Sequence, residues 1–247
     1  MSMTIDGLEW DAQTDAVKFD PEKSGAYLLD LMDRIRKIDG IERIRLSSLE
    51  PRIMTESFVK GIAAMPEVCP HFHLSLQSGC NATLRRMNRH YTKEQYIALA
   101  QKIRGQIPDV AITTDIMVGF PSETEEEFNE SFEFVKKVAF AKAHIFSYSR
   151  REGTIAAAIK NQVLKSEKTV RSRRMQKLCE ETELDFLNSQ LEKVESVLFE
   201  TLENGFYVGY TPNYTKIYLE SDTDISGKIL SVKLTDIKND GCLGVLN

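Results

Sequence analysis

The stretch His71-Phe72-His73-Leu74-Ser75-Leu76-Gln77-Ser78-Gly79-Cys80, followed by Leu84-Arg85-Arg86-Met87-Asn88-Arg89, decides the fold. Residues 71–76 read as a strand. The strand stops at a polar corner that contains a glycine, and the chain restarts as a basic helix. A strand, a corner and a helix form the repeating unit of an α/β barrel, where ligands sit at the carboxyl ends of the strands.

Outward from this stretch the unit repeats. Residues 41–49, 110–118 and 142–148 read as further strands, and residues 55–65, 83–88 and 93–106 as helices. Ser122 and Glu125 have capping-box spacing and predict a helix through Val138. This alternation points to a parallel sheet with crossover helices. Apolar strands such as 112–118 suit burial on both faces. Upstream, Leu28, Leu29, Met32, Ile35 and Ile38 have helical spacing from Ala26, with Gly40 as a stop. Residues 1–24 read as a frayed start or long loop, with Asp20-Pro21 as a turn.

The pattern changes after Arg150. Residues 166–192 predict one long amphipathic helix, with Val170, Met175, Leu178, Leu184, Leu187 and Leu191 on or near its apolar side. Strands follow at 194–202, 206–210, 215–219 and 228–234, each with Gly, Asn or Asp nearby. The reading is two domains, residues 1–192 and a small β-barrel over 193–247.

The chain has 247 residues, 42% hydrophobic and 28% charged, with a net charge of −5. These values fit a globular protein with a sizeable core and argue against a general nucleic-acid binder, although one basic face is compatible with them. No apolar run approaches the ~20 residues that span a bilayer. Met1 to Trp10 lacks the pattern of a signal peptide, so the expected location is cytoplasmic. Cys69, Cys80, Cys179 and Cys242 have no CxxC or CxxxCxxC spacing and read as reduced structural thiols. His71 and His73 share a strand face, but supply only two ligands and read as structural or hydrogen-bonding residues. His144 reads as structural.

Several blocks in order resemble the radical S-adenosylmethionine methylthiotransferases. They are Arg45-Leu46-Ser47-Ser48-Leu49-Glu50-Pro51, the 71–89 block, Thr114-Asp115-Ile116-Met117-Val118-Gly119-Phe120-Pro121, and His144-Ile145-Phe146-Ser147-Tyr148-Ser149 with Gly153-Thr154. Gly209-Tyr210-Thr211-Pro212-Asn213-Tyr214 and Gly227-Lys228 resemble the family's TRAM domain. The wording at 46–51 and 209–214 is similar to the branch that acts on N6-threonylcarbamoyladenosine in tRNA. The fold that this implies is α/β: a partial (β/α) radical SAM barrel followed by a small all-β TRAM barrel. The family's three N-terminal cluster-binding cysteines and its CxxxCxxC motif have no counterpart here, which reads as a C-terminal part of the full protein.

The resemblance implies a reaction in which a [4Fe–4S] cluster reduces S-adenosylmethionine, the resulting radical abstracts hydrogen from the base, and a second cluster supplies sulfur. The cluster ligands are absent from this chain, so it is expected to be inactive alone. Catalytic residues are not assigned and no metal ligand is expected. Ser47, Glu50, Gln77, Ser78 and Asp115 are the candidates for the S-adenosylmethionine pocket. The amides of the 77–79 corner are expected to be free for a ribose or carboxylate. Arg85, Arg174 and Tyr214 are the RNA-contact candidates, drawn from the basic runs at Arg85, Arg86, Arg89, His90 and at Lys165 to Lys177, and from the tail tyrosines. The tail itself carries five lysines against eight carboxylates, so it should bind RNA poorly alone. The implied partners are tRNA, S-adenosylmethionine and an electron donor, with no membrane; exposed strand edges favour oligomerisation. The competing readings are a non-catalytic tRNA-binding module and a conventional barrel enzyme.

Overall fold

A computed structural model describes residues 20–247 throughout and, before them, the backbone of residues 4–5, 8–11 and 16–19. The loop expected over 1–24 falls partly on residues outside this set. Within the set, β1 (Thr4–Ile5), β2 (Leu8–Asp11) and β3 (Ala16–Phe19) form an antiparallel sheet, which corrects the loop reading there.

Helix α1 (Pro21–Ile35) starts earlier than its apolar spacing predicts. The Asp20 carboxylate accepts from the amides of Glu22 and Lys23, and Pro21 occupies the first turn, where its missing N–H costs nothing. Four parallel strands follow in sequential order: β4 (Ser48–Leu49), β5 (His71–Leu74), β6 (Ala111–Val118) and β7 (Lys142–Ser147). A short 3-10 turn (Pro51–Ile53) and α2 (Glu56–Ala63) cross from β4 to β5; α3 (Asn81–Arg86) and α4 (Lys93–Gln106) cross from β5 to β6; α5 (Glu125–Val138) crosses from β6 to β7.

Two expectations change here. Of residues 41–49 only Ser48 and Leu49 form a strand, with one further parallel bridge between Ile44 and Val68. Arg43 and Arg45 in this segment reach the C-terminal barrel instead. The capping box of α5 is Thr124 with Glu127, two residues on from Ser122 and Glu125. Ser122 has φ +64° and its amide donates to Asn161 O, so it belongs to the preceding turn.

The sheet is two-sided. Phe72, Leu74, Ile112, Ile116 and Val118 are buried in a core that includes Phe58 from α2, Ile103 from α4 and Phe128 from α5. The other face carries Ser48, His73, Asp115, His144 and Phe146, which range from partly to fully exposed. Burial on both faces, expected for 112–118, is complete on one face, while on the other Thr113 is buried and Asp115 and Met117 are half-buried.

After α6 (Ile155–Ala158), α7 (Lys165–Asn188) packs on β7 and α5. Met175, Leu178 and Cys179 join the sheet core, while Leu187 joins a second core inside the C-terminal barrel. Val170 and Leu184, read as apolar-face residues, are exposed. Five strands close that barrel: β8 (Val194–Glu203), β9 (Phe206–Tyr210), β10 (Lys216–Leu219), β11 (Ile229–Lys238) and β12 (Gly241–Leu246). The strand β12 is absent from the sequence reading because its glycines lower strand propensity. Gly241 is required where β10 and β12 pair in parallel: a Cβ there would collide with the Lys216 carbonyl.

Among the described residues no helix is long and apolar enough to cross a membrane. Gly241→Ala must open the β10–β12 pairing that closes the barrel. A loss of about 1–3 kcal/mol is expected, measured by urea unfolding followed by circular dichroism.

Candidate functional site

The corner after β5 is built by hydroxyl groups. Strand pairing ends at Leu74, where the Leu74 carbonyl accepts from Tyr96 (2.7 Å) and Thr114 (2.6 Å). The Thr114 hydroxyl also accepts the Leu76 amide at 2.9 Å. The Tyr91 hydroxyl lies 2.8 and 2.9 Å from the carbonyl oxygens of Ser75 and Leu76. Both phenols are pushed above their ordinary pKa by burial and remain protonated donors. Gln77 then rejoins β6 with φ +67°: its amide donates to Asp115 O and its carbonyl accepts from Met117, both at 2.9 Å.

The corner amides are not free, contrary to expectation. Ser78 N–H donates to Leu76 O, Gly79 N–H to the Ser131 hydroxyl, and Cys80 N–H to the Ser78 hydroxyl. Ser78 is only 2% exposed and its side chain closes the turn. Gln77 is left as the partly exposed side chain of this corner.

The open sheet face gathers the other polar candidates. Strand register sets Ser48 beside His73, and Asp115 beside His144. His73 places Nδ1 3.1 Å from the Thr113 hydroxyl and Nε2 3.3 Å from the Asp115 carboxylate. His73 is thus the ion-pair partner of the half-buried Asp115. The His144 ring is 6.3 Å from that of His73. Glu50, at the carboxyl end of β4, lies 3.3 Å from Arg52 and 3.8 Å from Arg89. Ser47 is exposed beside it. The structure therefore brings Ser47, Glu50, Gln77 and Asp115 to the open face and its carboxyl-end rim, with Ser78 behind them.

The RNA candidates separate. Arg85 is exposed and has no ion-pair partner among the described residues. Arg174 instead holds α7 to α5: it donates to Glu125 (2.6 Å) and Asn129 (2.8 Å) and lies 4.7 Å from the Phe128 ring. Lys168 and Arg171 of the same basic run also turn inward. Lys168 donates to Tyr148 O, and Arg171 lies 3.5 Å from the buried carboxylate of Glu123, which also accepts the Gly119 amide. Burial pushes Glu123 up to about 7, against the pull of Arg171 and the amides. Half of this run is therefore structural, a division that charge counting does not reveal.

Tyr214 is also occupied. It stacks on Tyr210 (4.4 Å, 12°), lies under Arg45 (3.9 Å) and meets the His71 ring at 5.0 Å. Arg43 donates to the carbonyls of Tyr210 (2.9 Å) and Ser196 (2.7 Å), and the Asn213 amide group to Asp109 O (3.1 Å). His71 and Asp109 stand at or before the amino ends of their strands. The barrel is therefore docked at the end of the sheet opposite the Gln77 corner.

Residues 23–135 match the family model of the radical SAM superfamily. The tRNA-2-methylthio-N(6)-dimethylallyladenosine synthase of Caldicellulosiruptor saccharolyticus is 39% identical over 214 residues, 86% of this chain and 45% of the relative. The threonylcarbamoyladenosine tRNA methylthiotransferase of Bacillus subtilis is 37% identical over 214 residues, 85% of this chain and 47% of the relative. Over most of its length the chain is thus homologous to radical SAM tRNA methylthiotransferases. It spans about half the length of the curated relatives it matches. Among solved structures, a radical SAM coproporphyrinogen III oxidase of Escherichia coli superposes with a TM-score of 0.49 at 16% identity over 84% of this chain and 48% of that chain, a likeness too distant to add to the assignment.

Radical SAM chemistry implies an iron–sulfur cluster, and the cysteines of this chain do not fit one. All four are buried and unpaired, in separate elements. Burial pushes the Cys179 thiol up to about 12 and Cys242 to about 11, whereas cluster ligands are thiolates. No group of three or more His, Cys, Asp or Glu residues is arranged for a metal ion among the described residues.

The residues missed by sequence reasoning are His73 and His144 as members of the Asp115 face. The i, i+2 spacing gives the face of His73, but only strand register supplies its neighbours.

Two outcomes follow from these contacts. Arg171→Leu leaves Glu123 buried beside a vacated charge and costs about 3–5 kcal/mol near pH 8; the cost shrinks near pH 5, where the carboxyl takes a proton. Urea melts at both pH values read this difference. Burial and Arg45 push His71 down to about 4 from an ordinary 6.5, so the unfolded chain binds a proton in that interval and the folded chain does not. The His71 contribution is therefore complete above pH 6.5 and lost as pH falls toward 4. His71→Phe, which keeps a ring against Tyr214, is expected to flatten that part of the stability profile.

Proposed function

We propose that the whole protein is a tRNA methylthiotransferase that converts N6-threonylcarbamoyladenosine beside the anticodon into its 2-methylthio derivative. The carrying observation is identity of 37–39% to curated methylthiotransferases across most of this chain. This chain contributes the wall formed by β4 to β7 and the small barrel, read as TRAM-like. It supplies no cluster ligand.

Glu50 is placed to accept a hydrogen bond from the ammonium group of S-adenosylmethionine. Ser47 and Gln77 offer polar groups to its carboxylate and ribose, and Ser78 fixes the corner that carries Gln77. Asp115 is oriented by His73 toward the open face. Bound S-adenosylmethionine supplies the radical that activates the base. The chain's own part is to bind and orient the reactants above the sheet and to contact tRNA. An external electron donor and a cytoplasmic setting complete the proposal.

The choice of threonylcarbamoyladenosine rests on the Leu46-Ser47-Ser48-Leu49-Glu50-Pro51 and Gly209–Tyr214 wording and is supported by the Bacillus subtilis relative. The alternative substrate is N6-dimethylallyladenosine, named in several relatives of similar identity. Mass spectrometry of nucleosides from cells that lack the gene decides between them. Loss of 2-methylthio-N6-threonylcarbamoyladenosine is expected. Loss of the dimethylallyl product instead assigns the alternative, and an unchanged profile overturns both. The isolated chain, supplied with iron and sulfide, is expected to show no turnover.

A further inference from the structure

The carboxyl-end rim of the sheet has arginines on both flanks of the open face. On the β5 flank, Tyr91 ties its segment to the carbonyls of Ser75 and Leu76, and Arg89 N–H bonds to Leu84 O. Arg89 approaches Glu50 at 3.8 Å, which fixes this segment beside the carboxyl end of β4. Arg85 stands exposed in the last turn of α3, just before that segment.

On the β7 flank, the strand ends at Ser147, and Tyr148 is held by Val118 O and by Lys168. Arg150 and Arg151 follow, both exposed. Their turn is rigidly built: the Thr154 hydroxyl and amide both donate to Arg151 O, at 2.8 and 3.3 Å. Gly153 supplies the φ of +79° that the turn needs. Neither guanidinium has an ion-pair partner among the described residues. Arg150 also lines an open groove of about 560 Å³ with Gly153, Thr154, Ala157 and Ala158, where Glu152 is the carboxylate among the lining residues.

Unpaired guanidinium groups on a fixed turn are suited to phosphate oxygens, which accept their planar donors. We infer that Arg150 and Arg151 on one flank, and Arg85 on the other, form a two-sided phosphate clamp for an RNA strand crossing the mouth of the sheet. The inference rests on the tRNA reading above and names the residues that carry its electrostatic share. Lys168, Arg171 and Arg174 are left out of it, because each already has a partner within the chain. The small barrel, with five lysines against eight carboxylates, adds contacts that salt does not screen.

The test is binding of a fluorescently labelled anticodon stem–loop RNA to the full chain across a potassium chloride series. Each lost phosphate contact lowers the slope of log affinity against log salt by about one. Arg150→Ala with Arg151→Ala is expected to lower the slope by about two, and Arg85→Ala by about one, with melting curves unchanged. Lys238→Ala in the barrel is expected to leave the slope as it is. An unchanged slope in the arginine variants, with wild-type binding intact, overturns the clamp alone. Absence of wild-type binding at every salt concentration overturns the clamp and the tRNA contact of this chain together.

Discussion

The carbonyls of Leu74, Ser75 and Leu76 leave the β-ladder while still buried, and the rest of the site depends on how they are satisfied. A buried carbonyl without a donor costs about 1–3 kcal/mol. Three hydroxyls, from Tyr91, Tyr96 and Thr114, take over from the ladder. Two of them come from the loop and helix that follow the corner, and one from the neighbouring strand. The sheet can therefore break its pairing for two residues and resume it at Gln77 with the carbonyls of all three residues accepting hydrogen bonds. That interruption turns the chain outward at the carboxyl end of β5.

Much of the architecture was legible because local signals agreed with tertiary packing. Helix α4 has its sequence-read limits, since the Thr92–Gln95 capping box and apolar spacing mark the same residues. The closed β-barrel was readable from strands bounded by turn residues. The failures have identifiable causes. Ser122 has the chemistry of a cap, but the turn after Gly119 places it outside the helix, and Thr124 takes the role. Residues 41–49 have strand composition, yet Arg43 and Arg45 are committed to the barrel. A charge run or a tyrosine in a sequence does not reveal whether its partner is solvent, RNA or another part of the chain. Arg174 and Tyr214, read as RNA contacts, stay exposed at 42% and 39% and also engage neighbours within the chain.

The polar face shows the same limit from the opposite side. Alternation along β5 and β6 identifies which side chains share a face. It does not align the strands. Asp115 meets His73 because the parallel register of β5 and β6 places His73 beside Thr113, one pleat from Asp115. The site is therefore a property of register as much as of composition, and residues on three separate strands become one surface.

Arg43 bonds to residues 153 and 167 positions later in the chain. Such contacts raise the mean sequence separation of the fold and slow its completion. During synthesis the amino end of the sheet emerges long before Ser196 and Tyr210 exist. Until then Arg43 and Arg45 lack these partners, and the ring of His71 lacks Tyr214. The later-made barrel thus covers an earlier-made part of the sheet, and translation order leaves that surface open until the barrel closes.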